Sequence, residues 1–88
     1  MVVHELKILP QYYGDVAEYR KTFELRKDDR GYKVGEVLLL REYDPGKDEF
    51  TGRMMVRNIG YILRNCPEYG LAEGYCILGL IHISDPIL

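Results

Sequence analysis

The chain has 88 residues, of which 47% are hydrophobic and 30% charged, with a formal net charge of −2. A chain of this length forms one domain, 1–88, which buries about 60–65% of its unfolded surface and leaves little room for an enclosed active site. No apolar run approaches the roughly 20 residues that span a bilayer. His4 and Glu5 stand where a signal peptide would be apolar. We therefore expect a cytoplasmic domain with no membrane partner.

Charge is distributed unevenly along the chain. Between Arg20 and Lys33, six cations face three carboxylates, a local charge of +3, so the other residues carry −5. The global balance argues against a general polyanion binder, whereas the basic run suits a small anionic ligand or a short single strand.

The first elements follow from periodicity. His4, Leu6 and Ile8 alternate with polar residues and predict a strand. Pro10 ends that strand and begins a helix. The helix is predicted over Gln11 to Arg20, with apolar positions at Tyr12, Tyr13, Val16, Ala17 and Tyr19.

Four more strands are predicted downstream, separated by Gly- and Pro-containing connections. Their ranges are 22–26, 37–43, 53–63 with a bend at Gly60, and 75–83. The apolar start of the strand from Val37 predicts cover on both of its faces. The order β-α-β-β-β-β predicts a mainly β (α+β) fold, a small barrel of about five strands with one principal helix, since closure removes vulnerable edges.

The candidate site lies in the segment RKTFELR, residues 20–26. Strand alternation predicts that Phe23 and Leu25 are buried, whereas Thr22, Glu24 and Arg26 face a groove. Lys21 stands at the entrance of that strand. An acid flanked by two bases can orient a ligand donor while the cations meet phosphate or carbonyl oxygens. The competing interpretation is a surface ion-pair ladder of little energetic value.

Tyrosines flank the basic run, and two of them, Tyr12 and Tyr19, are candidate stacking platforms for bases. The alternative is that both rings pack against the barrel. His4 and His82 lack the further ligands that a metal site needs, so no metal or other cofactor is predicted. Cys76 lies within a strand and is interpreted as a buried thiol.

The same segment resembles the signature of the ASCH (activating signal cointegrator homology) domain of the PUA-like superfamily, Gly-x-Lys-x-x-Glu-x-Arg. Lys21, Glu24 and Arg26 match at the correct spacing, and Tyr19 stands at the glycine position. VGEVLLLREY and YCILGL resemble two later strands of that family. HELKILP, RKDDR and FTGR resemble a small stand-alone branch, found in phages and prophages and without an assigned function.

The resemblance implies a PUA-like barrel with a cleft beside the first helix that binds RNA, expected to be single-stranded, or a modified nucleotide. Some small ASCH proteins are amidohydrolases acting on acetylated cytidine, which is an alternative function with Lys21 as a catalytic residue. Glu24 replaces the threonine of that catalytic set and supplies no hydroxyl nucleophile. A third alternative is a phage-type protein-interaction module, for which we expect an exposed apolar patch. The oligomeric state stays open.

Overall fold

A computed structural model describes residues 1–82 of the chain. Its elements, in chain order, are β1 (Val3–Ile8), α1 (Pro10–Ala17), β2 (Phe23–Lys27), β3 (Val37–Asp44), β4 (Glu49–Leu63), a 3₁₀ turn (Pro67–Tyr69) and β5 (Tyr75–Ile81). The predicted order is confirmed, with the 3₁₀ turn inside the connection before the last strand. The predicted end of β5 at Ile83 lies outside the described residues.

The five strands form one curled sheet in the order β1-β3-β4-β5-β2. β1 is parallel to β3, and every other neighbouring pair is antiparallel. The mainly β class is therefore confirmed. The sheet is a half-barrel, since β1 and β2 form its two edges and are not paired with each other.

The core lies on the concave face, which α1 covers. Leu38, Leu40, Ile59 and Leu78 are wholly buried there, and they alternate with outward side chains along their strands. The helix contributes Tyr13 and Val16 to this core. The other buried apolar residues are Leu6, Ile8 and Cys76 on the strands and Tyr32 in a loop.

The helix ends earlier than predicted, at Ala17 rather than Arg20. Tyr19 adopts a left-handed backbone with φ +63°, which stops the helix immediately after its cap. The amides of Arg20 and Lys21 both donate to the Asp15 carbonyl, closing the last turn. The buried face of the helix also differs from the predicted one, because Tyr13 is buried and Tyr12 is exposed.

A buried arginine fixes this helix end to the sheet. Arg57 on β4 donates from Nη2 to the Val16 carbonyl at 3.2 Å and from Nη1 to the Val56 carbonyl at 2.8 Å. Its guanidinium lies 4.9 Å from the centre of the Tyr19 ring. A cation at the C-terminal end of a helix satisfies carbonyls that have no partner within the helix.

The strands depart from prediction at two further places. β4 begins at Glu49 rather than Arg53, because the hairpin with β3 continues beyond the core. The outer face of β3 is only partly buried, so the predicted cover of both faces is incomplete on that side. The bend predicted at Gly60 is a register shift between Ile59 and Tyr61.

Candidate functional site

The open side of the half-barrel is the setting of the site. Pairing directions place β1 and β2 antiparallel to each other across the gap between the two sheet edges. The gap is bridged by a side chain rather than by backbone pairing, since Arg26 Nη2 donates to the Lys7 carbonyl at 2.6 Å. Beside this bridge lies a cleft of about 450 Å³, lined by Lys7, Ile8, Leu9, Tyr12, Lys21, Phe23, Glu24, Leu25 and Arg26.

Strand pairing explains why a carboxylate points inward here. Glu24 on β2 is opposite Leu78 on β5, whose side chain is wholly buried, and paired residues share one face of a sheet. Glu24 is only 4% exposed, whereas Phe23 and Leu25 are 45% and 57% exposed. The prediction that Phe23 and Leu25 are buried is therefore wrong. The concave side of this edge strand faces the gap, where ion pairs replace an apolar core.

Glu24 is buried by its own ion pairs. Lys21 Nζ donates to its Oε2 at 2.6 Å, and Arg26 donates to its Oε1 from Nε at 3.0 Å and from Nη2 at 2.7 Å. Lys21 Nζ also donates to the Phe23 carbonyl at 2.7 Å. Charge-assisted bonds of this kind fix both cations in place.

Both cations retain donors for a ligand. Within residues 1–82, Arg26 Nη1 makes no hydrogen bond, and Lys21 has one ammonium hydrogen beyond its two bonds. With Lys7, the cleft lining carries three cations against one carboxylate. The arrangement favours an anion or a carbonyl oxygen as ligand.

Aromatic rings stand on both sides of the lysine. Lys21 Nζ lies 5.3 Å from the centre of the Tyr12 ring and 4.9 Å from that of Phe23. Both rings are partly exposed at the mouth of the cleft. Such rings attract the ammonium and also offer planar apolar surface to a ligand.

The structure brings together four of the six residues predicted for the site, namely Tyr12, Lys21, Glu24 and Arg26. Thr22 is exposed outside the cleft, and its carbonyl accepts from the Leu80 amide at 2.9 Å. Tyr19 also lies outside, because its ring lies near Arg57 and its hydroxyl bonds to His82 Nδ1 at 2.7 Å. Thr22 and Tyr19 are therefore not brought into the cleft that Lys21 lines.

Sequence reasoning missed the contribution of β1. Lys7, Ile8 and Leu9 line the cleft from the opposite edge of the sheet. No short motif marks them, because their placement depends on the strand order. Only the prediction that both β1 and β2 are edges would have located these residues.

The remaining candidate groups have structural partners. His4 Nε2 bonds to Glu36 Oε1 at 2.7 Å. Burial raises the pKa of the Cys76 thiol.

Within residues 1–82, no three His, Cys, Asp or Glu side chains are grouped to hold a metal ion. The same part of the chain has no helix long and apolar enough to cross a membrane.

The convex face of the sheet carries a second notable surface. Several of its apolar side chains are exposed on β2, β4 and β5. Register places Tyr61 and Phe23 on either side of Gly79, and Leu63 and Leu25 on either side of Ile77. We call this surface the outer apolar face, comprising Phe23, Leu25, Tyr61, Leu63 and Ile81. At the sheet edge, Phe23 and Leu25 also line the cleft.

Comparison with known families matches residues 3–80 to DUF3850, a domain of unknown function. The chain belongs to the DUF3850 family. It is also 40% identical, over 57 residues, to an uncharacterised 12.9 kDa protein in the GpA 3′ region of Escherichia phage P2. The matched segment covers 65% of this DUF3850 chain and 50% of the phage protein, so the chain spans about half the length of that relative.

Proposed function

We propose that this DUF3850 domain binds single-stranded RNA or a modified nucleotide in the cleft between β1 and β2. The arrangement of Lys21, Glu24 and Arg26 carries the proposal. One carboxylate holds two cations whose remaining donors are available to phosphate or carbonyl oxygens. Stacking on Tyr12 or Phe23 would supply the contact with the base, worth about 1–3 kcal/mol.

The backbone at Tyr19 supports a relationship to the ASCH domain. Tyr19 stands at the glycine position of the ASCH signature, and its φ of +63° is a conformation that glycine adopts at little cost. We therefore propose that this DUF3850 chain is a PUA-like domain of the ASCH type. Its resemblance to a phage protein is consistent with the proposed phage or prophage branch.

The test is a titration of ¹⁵N-labelled protein with uridine 5′-monophosphate and with hexauridylate, followed by NMR. We expect the largest changes in amide chemical shift at Tyr12, Lys21 and Arg26. Lys21→Ala should weaken binding about tenfold, the effect of one charge-assisted contact. Lys47→Ala, in the exposed turn before β4, removes the same charge away from the cleft. Equal weakening by both variants, or no binding by the native protein, would refute the proposal.

Salt dependence gives an independent measure. A cleft with three cations neutralises only two or three phosphates, so the logarithm of the affinity for hexauridylate should fall with a slope near −2 in log salt. Duplex RNA should bind more weakly, because stacking on Tyr12 or Phe23 requires an unpaired base. A steep slope with tight duplex binding would contradict this account.

The amidohydrolase alternative requires a nucleophile beside Lys21 in the cleft. Lys21 is held by Glu24 and the Phe23 carbonyl, and within residues 1–82 the side chains lining the cleft include no serine or threonine hydroxyl. We expect no appreciable release of cytidine and acetate from acetylcytidine. Robust turnover that Lys21→Ala abolishes would establish the enzyme function instead.

The outer apolar face favours a second candidate, a protein-interaction module. We propose a second copy of this chain as its occupant. Five roughly half-exposed side chains present about 500 Å² of apolar surface, close to the upper range for a monomer. A standard interface covers about 800 Å² per partner, which this face and its rim can supply. None of the five residues is charged, so the face carries no charge pattern that would select a partner of opposite charge. In a dimer with a twofold axis, the same apolar face of both copies is buried in one interface.

Sedimentation equilibrium tests this second candidate. We expect concentration-dependent dimers that Tyr61→Glu dissociates, because Tyr61 is exposed on this face and does not line the cleft. Met54→Glu is the matched control, because Met54 is exposed on β4 nine residues from Leu63. A native protein that stays monomeric at several hundred micromolar, or equal effects of the two variants, would refute self-association through this face.

A further inference from the structure

The cleft continues along the gap between the sheet edges. A second hollow of about 410 Å³ adjoins it, and Arg26 and Lys7 line both. The other residues of the second hollow are Glu5, Leu6, Arg30 and Phe50. Three cations again face one carboxylate, and Glu5 is already paired with Arg41 at 2.9 Å.

The open edge of β1 sets the spacing of two arginines. The Lys7 carbonyl accepts from Arg26, and the Glu5 carbonyl accepts from Arg30 Nη1 at 2.9 Å. Carbonyls two residues apart on one edge of a strand are about 6.6 Å apart. Successive phosphates of an extended nucleic acid strand have a similar spacing.

The guanidinium groups of Arg26 and Arg30 are both held by carbonyls on the edge of β1, and both keep N–H donors that make no hydrogen bond within residues 1–82. Within the described part of the chain, Arg30 makes a single hydrogen bond, and Lys7 Nζ makes none while lying 4.1 Å over the Tyr43 ring. The carbonyl contacts hold the arginines in place, so binding a phosphate requires less ordering of these side chains.

From this spacing we infer that the gap is a two-site groove for a short single-stranded oligonucleotide. The base of one nucleotide stacks on Tyr12 or Phe23, and the phosphate of its neighbour lies in the second hollow against Lys7 and Arg30. Arg26 contacts the ligand at the junction. The inference rests on the proposed function, and it makes the ligand at least a dinucleotide rather than a single modified nucleotide.

Calorimetric titrations with uridine 5′-monophosphate and with the dinucleotide pUpU test the groove. The native protein should bind pUpU about tenfold more tightly, the effect of one added charge-assisted phosphate contact. Arg30→Gln should remove that gain and leave the affinity for the mononucleotide unchanged. Lys21→Ala should weaken the binding of both ligands. Arg20→Gln, at an exposed arginine paired with Asp15 and Glu18, is the control of equal charge.

The possible failures separate the two proposals. Equal affinity for the two ligands, or an unchanged gain in Arg30→Gln, would overturn the two-site groove and leave the mononucleotide cleft standing. No binding of either ligand would overturn both. Thermal melts by circular dichroism check the fold of Arg30→Gln. If that variant does not fold, Arg30→Lys replaces it and should lower the gain, since lysine lacks the forked donors.

Discussion

Replacing Glu24 by glutamine leaves Lys21 and Arg26 side by side without their shared counter-charge. Breaking a buried ion pair costs about 3–5 kcal/mol. The Lys21 and Arg26 side chains keep 18% and 23% of their exposure, so water relieves part of that cost. The glutamine oxygen also accepts one of the lost bonds. We therefore expect Glu24→Gln to lower the free energy of unfolding by about 2–3 kcal/mol, and Tm by about 10–20 °C for a domain of this size.

Urea unfolding at low salt is the appropriate assay for Glu24→Gln, because an ionic denaturant would screen the repulsion. Glu18→Gln is the matched control, since Glu18 pairs with Arg20 at the exposed helix end and its loss should leave Tm unchanged. A decrease of less than about 0.5 kcal/mol in Glu24→Gln would refute the reasoning, because the carboxylate would then contribute no more than a surface ion pair.

Substitutions at four further positions test the backbone, the pH dependence and the packing. At Tyr19, glycine should be more stable than alanine by about 1 kcal/mol, because both lose the ring and only glycine tolerates φ +63°; equal urea midpoints would contradict this. The pKa of Glu36 is lowered by its hydrogen bond from His4, so its stabilisation is present above its unfolded pKa and is lost as pH falls through the folded value. Glu36→Gln should therefore show a shallower decline of Tm from pH 5 to 3 than the native protein, and parallel declines would count against the pair. Gly60→Ala should destabilise by about 1–3 kcal/mol, since its Cβ would lie 2.9 Å from Ile81 Cγ2. Gly14→Ala, with open space around the added carbon, should stabilise the helix by up to about 1 kcal/mol, and the same sign for both would contradict the packing argument.

The fold class was predictable because period-two alternation survives in most strands. Leu6 and Ile8 on β1, and Leu38 and Leu40 on β3, alternate as a half-buried sheet requires. Helix length was not predictable, since the turn that stops the helix after Ala17 contains Tyr19 in a conformation that usually signals glycine or asparagine.

The site was half predictable for a related reason. Spacing placed Lys21, Glu24 and Arg26 together, because residues this close in the sequence can be grouped without knowledge of the fold. The predicted burial of Phe23 and Leu25 was wrong because the rule that apolar side chains point inward assumes an apolar interior on that side. Phe23 and Leu25 instead belong to the outer apolar face, while Glu24 is buried by its ion pairs. The β1 contribution required the order of the strands, which depends on long-range pairing.

The gap in the half-barrel and the charge of the cleft have one physical origin. β1 and β2 are antiparallel and could close the barrel by backbone pairing, but the Lys7 carbonyl accepts a guanidinium hydrogen instead of a strand amide. A side chain in that place keeps the edges apart and leaves unpaired donors in the space it creates. Arg26 also satisfies Glu24, which otherwise would be a costly buried charge. The same arginine that makes an inward carboxylate tolerable therefore holds the groove open and supplies cationic donors on which the proposed binding of an anionic ligand rests.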